Sequence, residues 1–293
     1  MLNNYDAQFR VRGLVPDFDS YLDRYRAQSA QARQLVPHSL DCAYGSSSLE
    51  RLDVFLPQTK GNPRPVHVFF HGGYWRAFDK SDYSFVARPI TEAGAIAVVA
   101  NHGLMPAVTM GQLVRQCCSA IRWIYKNAAG FGGDNGRISV SGHSAGAHIA
   151  SLLHLTRWED YDLPPHTIKA TVAVSGIYDL APVLRSFLKD ETGLTQEDAT
   201  NFSPIALAKS LERSAQPIVL RVGDDETEEM KRQSEGFTNV LRERGCTVDA
   251  RTIAHRHHMD IVLDMGDRDS ELGQLLLTQI HTSGPVTGGP IFE

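Results

Sequence analysis

Several features that would place the chain in a special class are scarce or missing. Cysteine contributes only 4 of the 293 residues and forms no C-x-x-C pair, so we expect free thiols in a reducing compartment rather than a disulfide framework. No apolar run approaches the length of a membrane span, and the first residues lack the apolar core of a signal peptide. These absences predict a cytoplasmic protein.

An excess of charge of one sign is also lacking. The net charge of −5 gives no reason to expect nucleic acid or an anionic membrane as a partner. With 42% hydrophobic and 22% charged residues, the composition is that of an ordinary globular protein. We predict a small-molecule substrate, no nucleic-acid or membrane partner and no cofactor, and we leave a homodimer open.

Internal repeats and long linkers are missing as well, which predicts a single domain over residues 1–293. Apolar residues recur at helical spacing over residues 17–35, so residues 1–36 are predicted to form an N-terminal helical arm. This arm is a candidate partial lid. Residues 283–293 are rich in glycine and proline and are predicted to form a flexible tail.

Short β-rich runs alternate with helical segments along the rest of the chain. The predicted strands cover residues 51–56, 66–71, 95–100, 137–141, 170–175, 217–222 and 247–253. The predicted helices cover residues 111–129, 147–155, 228–244 and 270–281. This alternation predicts an α/β fold with a mostly parallel central sheet flanked by helices.

One pentapeptide, GHSAG at residues 142–146, fits the pattern G-x-S-x-G. It follows a predicted strand and opens a predicted helix, which is the setting of the nucleophile elbow in α/β-hydrolases. The tight turn lifts the serine hydroxyl above the sheet, and the flanking glycines avoid the clashes that Cβ atoms would make. Ser144 is therefore the predicted nucleophile. The plainer alternative is that the motif is only a glycine-rich helix start that packs closely on its strand.

A second glycine motif, HGGYW at residues 71–75, follows another predicted strand. A loop of this type supplies backbone N–H donors to the oxyanion hole of such hydrolases. We expect the donors to come from Gly72, Gly73 and Tyr74, together with the N–H of Ala145. An ordinary strand-to-loop turn is the plainer alternative.

The catalytic base and acid must come late, because this fold orders its triad as serine, acid and histidine. Of the three histidines that follow the last predicted strand, His258 is the predicted base. The acid is ambiguous from the residues alone, because five acidic side chains lie within residues 224–229. Most of them are expected to be solvated or to favour the dipole of the following helix.

Five other histidines are weaker candidates for the base. Three of them lie on or beside the helix of the nucleophile, where a satisfied or surface histidine is the default; they are His143, His148 and His154. The other two, His255 and His257, could join His258 in a metal site. No carboxylate or cysteine with ligand spacing supports that alternative, so we predict no metal.

Together these segments resemble the kynurenine formamidase (arylformamidase) branch of the α/β-hydrolase superfamily. The resemblance rests on residues 71–75 (HGGYW), 142–148 (GHSAGAH), 175–180 (SGIYDL), 223–234 (GDDETEEMKRQS) and 258–262 (HMDIV). The tyrosine and tryptophan after the two glycines separate this branch from lipase-like esterases, which carry HGGG. The chain departs from the family at Met230 and Met259, where phenylalanine is more usual.

The resemblance implies which residues are the catalytic acid and base, and it implies a substrate. The acid of the family stands just before a serine or threonine, which is Glu226 here, with Asp225 as the alternative. The family histidine corresponds to His258. The implied reaction converts N-formylkynurenine to kynurenine and formate through an acyl-enzyme, with Tyr74 and Trp75 in the substrate pocket. Open alternatives are a broader carboxylesterase, an aryl amidase or carbamate hydrolase, a metal-dependent formamidase, and a binding module that has lost catalysis.

Overall fold

Eight strands form a single sheet in the computed structural model of the protein, which describes residues 4–59, 61, 63–211 and 216–282. The strands are β1 (His38–Ala43), β2 (Arg51–Phe55), β3 (Arg64–Phe70), β4 (Ile96–Ala100), β5 (Gly133–His143), β6 (Ile168–Val174), β7 (Ile218–Gly223) and β8 (Val248–Ile253). Their spatial order is β1-β2-β4-β3-β5-β6-β7-β8. Only the β1–β2 and β2–β4 pairs are antiparallel, which confirms the mostly parallel sheet that the sequence predicts.

Helices cover the sheet and form the N-terminal arm. The α-helices in the described part of the chain are α1 (Tyr5–Phe9), α2 (Val11–Leu14), α3 (Phe18–Leu35), α4 (Ala87–Glu92), α5 (Met110–Asn127), α6 (Ala145–Leu155), α7 (Leu188–Thr192), α8 (Gln196–Phe202), α9 (Pro204–Ala208), α10 (Glu228–Glu243) and α11 (Glu271–Thr282). Turns of 3₁₀ helix cover Lys80–Val86, Ala128–Phe131, Trp158–Tyr161, Val183–Arg185 and Leu263–Gly266.

The central strands are apolar on both faces because helices pack on both. Along β3, Val68 and Phe70 join one core cluster, whereas Phe69 joins the cluster on the opposite face. The buried polar side chain on this strand is that of His67, whose ring nitrogens lie 2.8 Å from Ser139 Oγ and 2.6 Å from Ser141 Oγ. Burial lowers the pKa of His67 to about 3, so the ring is neutral and both nitrogens are paired.

The register of the sheet brings four loops together at the carboxyl ends of the parallel strands. Phe70 at the end of β3 pairs with Gly142 of β5, so the HGGYW loop begins beside Ser144. On the other side of β5, His143 pairs with Val174, and the segments after β7 and β8 follow in turn. Ligands of open α/β sheets bind at this edge, and all the predicted site residues lie there.

Five strands and α-helices of the described chain outside the arm escaped the prediction from sequence. Strand β1 is polar and exposed along most of its length, so it carries no alternating pattern. Helices α4, α7, α8 and α9 have five to seven residues each, too few for a helical period to show. The predicted tail lies outside the described residues, and the single domain stays a prediction. None of the described helices is both long and apolar enough to span a membrane.

The N-terminal arm, defined here as residues 4–36, packs along the edge where the loops meet. Its main helix, α3, begins one residue after the predicted start and ends at the predicted residue. The Tyr25 hydroxyl, which is buried, donates to the carbonyl oxygen of Met259, next to His258. The Ser29 hydroxyl donates to the carbonyl oxygen of Asp82 at 2.8 Å. The arm is therefore anchored to the loops of the candidate site.

Candidate active site

Ser144 occupies the turn between β5 and α6 in a conformation that few residues adopt. Its φ of 57° and ψ of −120° lie outside the regions that L-residues favour. The backbone N–H of Ser144 donates to the carbonyl oxygen of Val174 at 2.9 Å, which fixes the turn to β6. This strained strand-to-helix turn is the local structure that the GHSAG motif predicts.

The two outer glycines of the motif are set by packing of backbone on backbone. A Cβ atom on Gly146 would lie 1.9 Å from the carbonyl oxygen of Phe70, at the end of β3. A Cβ atom on Gly142 would lie 2.1 Å from the carbonyl oxygen of Gly146. Both distances are far shorter than any contact that atoms tolerate. Helix α6 can therefore lie this close to the sheet only when both positions are glycine.

Replacing Gly146 with alanine is expected to lower the free energy of unfolding by about 3 kcal/mol, because β3 or α6 must move to relieve the overlap. Urea denaturation would measure the change. The matched control is Gly130→Ala, since a Cβ atom on Gly130 would meet nothing within 4 Å. The control should unfold at the urea concentration of the wild type or slightly above it. Equal stability of the two variants would contradict this account of the turn.

The HGGYW loop borders the serine. A Cβ atom on Gly72 would lie 3.2 Å from the Cβ of Ser144, so the loop backbone passes directly beside it. The next residues turn sharply, with φ of 106° at Gly73 and 50° at Tyr74. Ala145 begins α6, where the first N–H groups lack intrahelical acceptors. The four residues predicted to supply oxyanion donors thus surround Ser144.

His258 and Glu226 form a buried pair. The Nδ1 atom of His258 lies 2.7 Å from Oε2 of Glu226, and the two side chains are 9% and 1% exposed. An ionised carboxylate only accepts hydrogen bonds, so Nδ1 carries the proton and Nε2 is left as an acceptor. Asp225 is exposed on the outer side of the loop. The structure therefore brings Glu226, and not Asp225, to His258.

The other oxygen of Glu226 is held by two donors. Oε1 accepts a hydrogen bond from the backbone N–H of Gly223 at 2.8 Å and a short one from the hydroxyl of Ser175. Ser175 stands at the end of β6 with a φ of 53°. Ser175 had no role predicted from sequence, although it opens the SGIYDL segment of the resemblance. Its position after a buried strand was the available signal.

Two other histidines, His148 and His143, lie in buried surroundings on or beside the helix of Ser144. His148 accepts a hydrogen bond from the Trp75 indole at 3.1 Å and donates to the carbonyl oxygen of Phe202 at 2.8 Å. Burial lowers the pKa of His148 to about 4, so it is neutral. The ring of His143 lies 4.6 Å from the ring of His258 at an interplanar angle of 43°, and burial holds the pKa of His143 well below the usual range. Both are therefore neutral, buried rings.

The three late histidines have separate surroundings. The Nε2 atom of His257 lies 3.1 Å from the hydroxyl of Tyr21 on the arm, whereas His258 faces Glu226. His255 occupies a turn with a φ of 56°. Among the residues that the structure describes, no group of three or more histidines, cysteines or carboxylates is arranged to hold a metal ion.

A cavity of about 390 Å³ opens above Ser144. One side is lined by Ser144, His258, Gly73 and Tyr74. The arm lines the opposite side with Phe9, Val11, Phe18 and Leu22. The Tyr74 side chain also lines the cavity, and its hydroxyl donates to the carbonyl oxygen of Phe9 at 2.6 Å. The arm therefore forms one wall of the cavity.

Trp75 differs from its prediction as a pocket residue. Its side chain is fully buried in the core beneath the loop, where the indole N–H donates to His148. It is not among the residues that line the cavity above Ser144. The backbone explains why Trp75 is buried and Tyr74 is not. Both residues have positive φ, so the loop turns between the two aromatic side chains and places them in different environments.

Known proteins resemble this chain in sequence and in fold. The family model BD-FAE matches residues 52–227. The kynurenine formamidase of Danio rerio is 30% identical over 90% of this chain and 89% of its own. The isoprenylcysteine alpha-carbonyl methylesterase ICME of Arabidopsis thaliana is 28% identical over 81% of this chain and 61% of its own. The crystal structure of a candidate thioesterase from Silicibacter sp. superposes with a TM-score of 0.79 at 25% identity, covering 94% of this chain and 98% of the other.

Proposed function

The chain belongs to the BD-FAE family and to the kynurenine formamidase-like α/β-hydrolases, and we propose that it cleaves N-formylkynurenine to kynurenine and formate. Its relatives are named as a formamidase and an esterase, so the chain is a hydrolase that acts on amide or ester bonds. The observation that carries the proposal is the buried pair of Glu226 and His258, because His258 lines the same cavity as Ser144, Gly73 and Tyr74.

In the proposed mechanism, Ser144 Oγ attacks the formyl carbon while His258 Nε2 takes its proton. The oxygen of the tetrahedral intermediate accepts hydrogen bonds from backbone N–H groups of Gly72, Gly73 or Tyr74 and of Ala145. Glu226 stabilises the imidazolium through Nδ1. The imidazolium then protonates the leaving aryl amine, and water hydrolyses the formyl-serine to release formate. The chemistry uses no metal or organic cofactor.

The walls of the cavity suit an aryl formamide. Phenyl and apolar side chains face the candidate nucleophile from the arm and from the segment after the HGGYW loop, and they include Phe9, Phe18 and Phe78. An aryl amine is a weak base and leaves more readily than an alkyl amine, so a triad of the esterase type is sufficient to break this amide. The formyl carbon carries only hydrogen, which fits a site where Gly72 lies close to Ser144.

Turnover of N-formylkynurenine tests the proposal. We expect kcat/KM to be higher for N-formylkynurenine than for 4-nitrophenyl acetate, with kynurenine and formate released in equal amounts. N-acetylkynurenine is the matched acyl control, because one additional methyl group in a tight pocket lowers kcat/KM by about 10- to 200-fold. Absorbance of the freed aryl amine and an enzymatic formate assay would follow the reaction. A higher kcat/KM for the nitrophenyl ester would reject the formamidase assignment.

The second candidate is a broader carboxylesterase, an aryl amidase or a carbamate hydrolase. The similarity to a plant methylesterase over most of the chain favours it. The same triad serves esters and amides, so the distinction depends on the cavity. A preference for the ester in the comparison above would establish this candidate instead.

The cytoplasm remains the proposed location. All four cysteines are free thiols, and three of them are buried. Free thiols persist in reducing compartments, where glutathione and thioredoxin prevent disulfide formation.

A further inference from the structure

Charged side chains gather at one end of the cavity above Ser144, on the side of α7. Arg10 on the arm, Arg76 after the HGGYW loop and Glu191 on α7 all line the cavity. Phe187 lines the same end of the cavity. Each group comes from a different segment of the chain, so the cluster exists only when the arm is docked.

Contacts around Phe187 fix the relative positions of these groups. The Arg10 guanidinium carbon lies 4.4 Å from the centre of the Phe187 ring. Glu191 follows Phe187 by four residues, and its backbone N–H donates to the Phe187 carbonyl oxygen, so both side chains lie on one face of the turn. Glu191 forms a close ion pair with Arg76. The Phe187 N–H donates to Asp6 Oδ1 at 2.6 Å and thereby ties the arm to α7.

Arg10 differs from the other two arginines that line the cavity. Arg76 is paired with Glu191, and Arg12 lies 2.9 Å from Asp19. In the described part of the chain, Arg10 has no carboxylate within 4.0 Å and rests on Phe187 alone. A guanidinium held flat on an aromatic ring keeps its N–H edge free to form a bidentate pair with a carboxylate.

We infer that this cluster binds an α-amino-acid group on the leaving side of the substrate, with Arg10 binding the carboxylate and Glu191 the ammonium group. The inference rests on the proposed function and names the part of the substrate that gives the site its specificity. The ion pair of Glu191 with Arg76 is about two-fifths exposed on both sides, and such pairs are weak enough to rearrange when a ligand arrives. The aryl ring would lie between this cluster and Ser144.

The test compares two formamides that differ only in this group. N-formylkynurenine carries the α-amino acid, whereas 2′-formamidoacetophenone has a methyl group in its place. In the full-length protein, Arg10→Gln and Glu191→Gln are each expected to lower the ratio of kcat/KM for the zwitterionic over the neutral substrate by about tenfold, mainly through KM. Raising the salt concentration should lower the same ratio in the wild type.

A matched control separates recognition from general effects of removing a charge. Arg24 lies 5.3 Å from the ring of Tyr21 in a similar stack on α3, and it lines a different cleft. Arg24→Gln should leave the ratio unchanged. The inference is overturned if Arg10→Gln and Glu191→Gln lower kcat/KM for both formamides by the same factor. It is also overturned if the two substitutions leave kcat/KM for both formamides unchanged. If the wild type cleaves nitrophenyl acetate but neither formamide, the proposed function itself fails.

Discussion

Replacing Ser144 with alanine is expected to lower kcat by about 10⁴- to 10⁶-fold, because the variant has no nucleophile and keeps only the oxyanion donors and the binding cavity. The strained conformation of residue 144 is compatible with alanine, and the backbone bond to Val174 does not involve the side chain. The fold should therefore survive. Steady-state rates with N-formylkynurenine and with 4-nitrophenyl acetate would both show the loss, and a fluorophosphonate probe should label the wild type only.

Ser151 provides the control for this substitution. It lies two turns along the same helix, α6, and its hydroxyl donates to the carbonyl oxygen of Ala147 at 2.8 Å without facing the cavity. Ser151→Ala should change kcat by less than about twofold and cost about 1 kcal/mol of stability. Activity that survives Ser144→Ala and disappears with a chelator would indicate a metal-dependent formamidase. A wild type that the probe does not label would favour a binding module without catalysis.

Replacing Glu226 with glutamine is expected to lower kcat by about 10³- to 10⁴-fold. The N–H of Gly223 can only donate, so it will hold the carbonyl oxygen of the glutamine amide where Oε1 lies now. The amide NH₂ must then face Nδ1 of His258, which becomes an acceptor. The imidazole proton moves to Nε2, the atom that has to take the proton of Ser144. The variant would be folded and have the wrong tautomer.

Asp225 offers a control one residue away. Its side chain is exposed, and its backbone N–H bonds to the Arg256 carbonyl oxygen, so Asp225→Asn should keep kcat within about twofold of the wild type. Nitrogen chemical shifts of the His258 ring would report the tautomer in the Glu226→Gln protein. Loss of activity in Asp225→Asn with little change in Glu226→Gln would reverse the assignment of the acid.

The sequence predicted the frame of the fold and the order of its loops because the parallel strands are buried on both faces and read as apolar runs. Strand β4 is entirely buried, and its predicted bounds differ from the observed ones by a single residue. Strand β1 could not be predicted in this way, since an exposed edge strand has no apolar face to show. The predicted motifs lie together at the strand ends because the chain topology forces them there.

Details within the loops depend on backbone geometry that single residues do not reveal. Tyr74 and Trp75 are neighbours of similar character, and only the turn between them decides which one meets the cavity. Glu226 and Asp225 are likewise adjacent carboxylates, and the difference between them arises from burial against Gly223 and Ser175. Local sequence cannot supply either fact, because both depend on partners far away along the chain.

The cavity wall that the arm forms also depends on partners far away along the chain. The helical spacing over residues 17–35 predicted α3 but not the surface on which it rests. The apolar positions of α2 and the start of α3 face the cavity, where Val11, Phe18 and Leu22 lie opposite Ser144. Their role depends on hydrogen bonds between the arm and segments more than 200 residues later, such as the bond from Glu229 N–H to Gln8 Oε1.

The hydrogen bond between Tyr25 and Met259 affects the order in which segments of the chain can fold during synthesis on the ribosome. Its two partners are separated by 234 residues, so at about 5–20 residues per second the nascent arm waits on the order of tens of seconds for its docking surface. During that interval its apolar face is open to chaperones. The strands that carry Ser144 can form earlier, but the histidine loop emerges only after β8. Under the proposed mechanism, hydrolytic competence is therefore among the last properties that the growing polypeptide acquires.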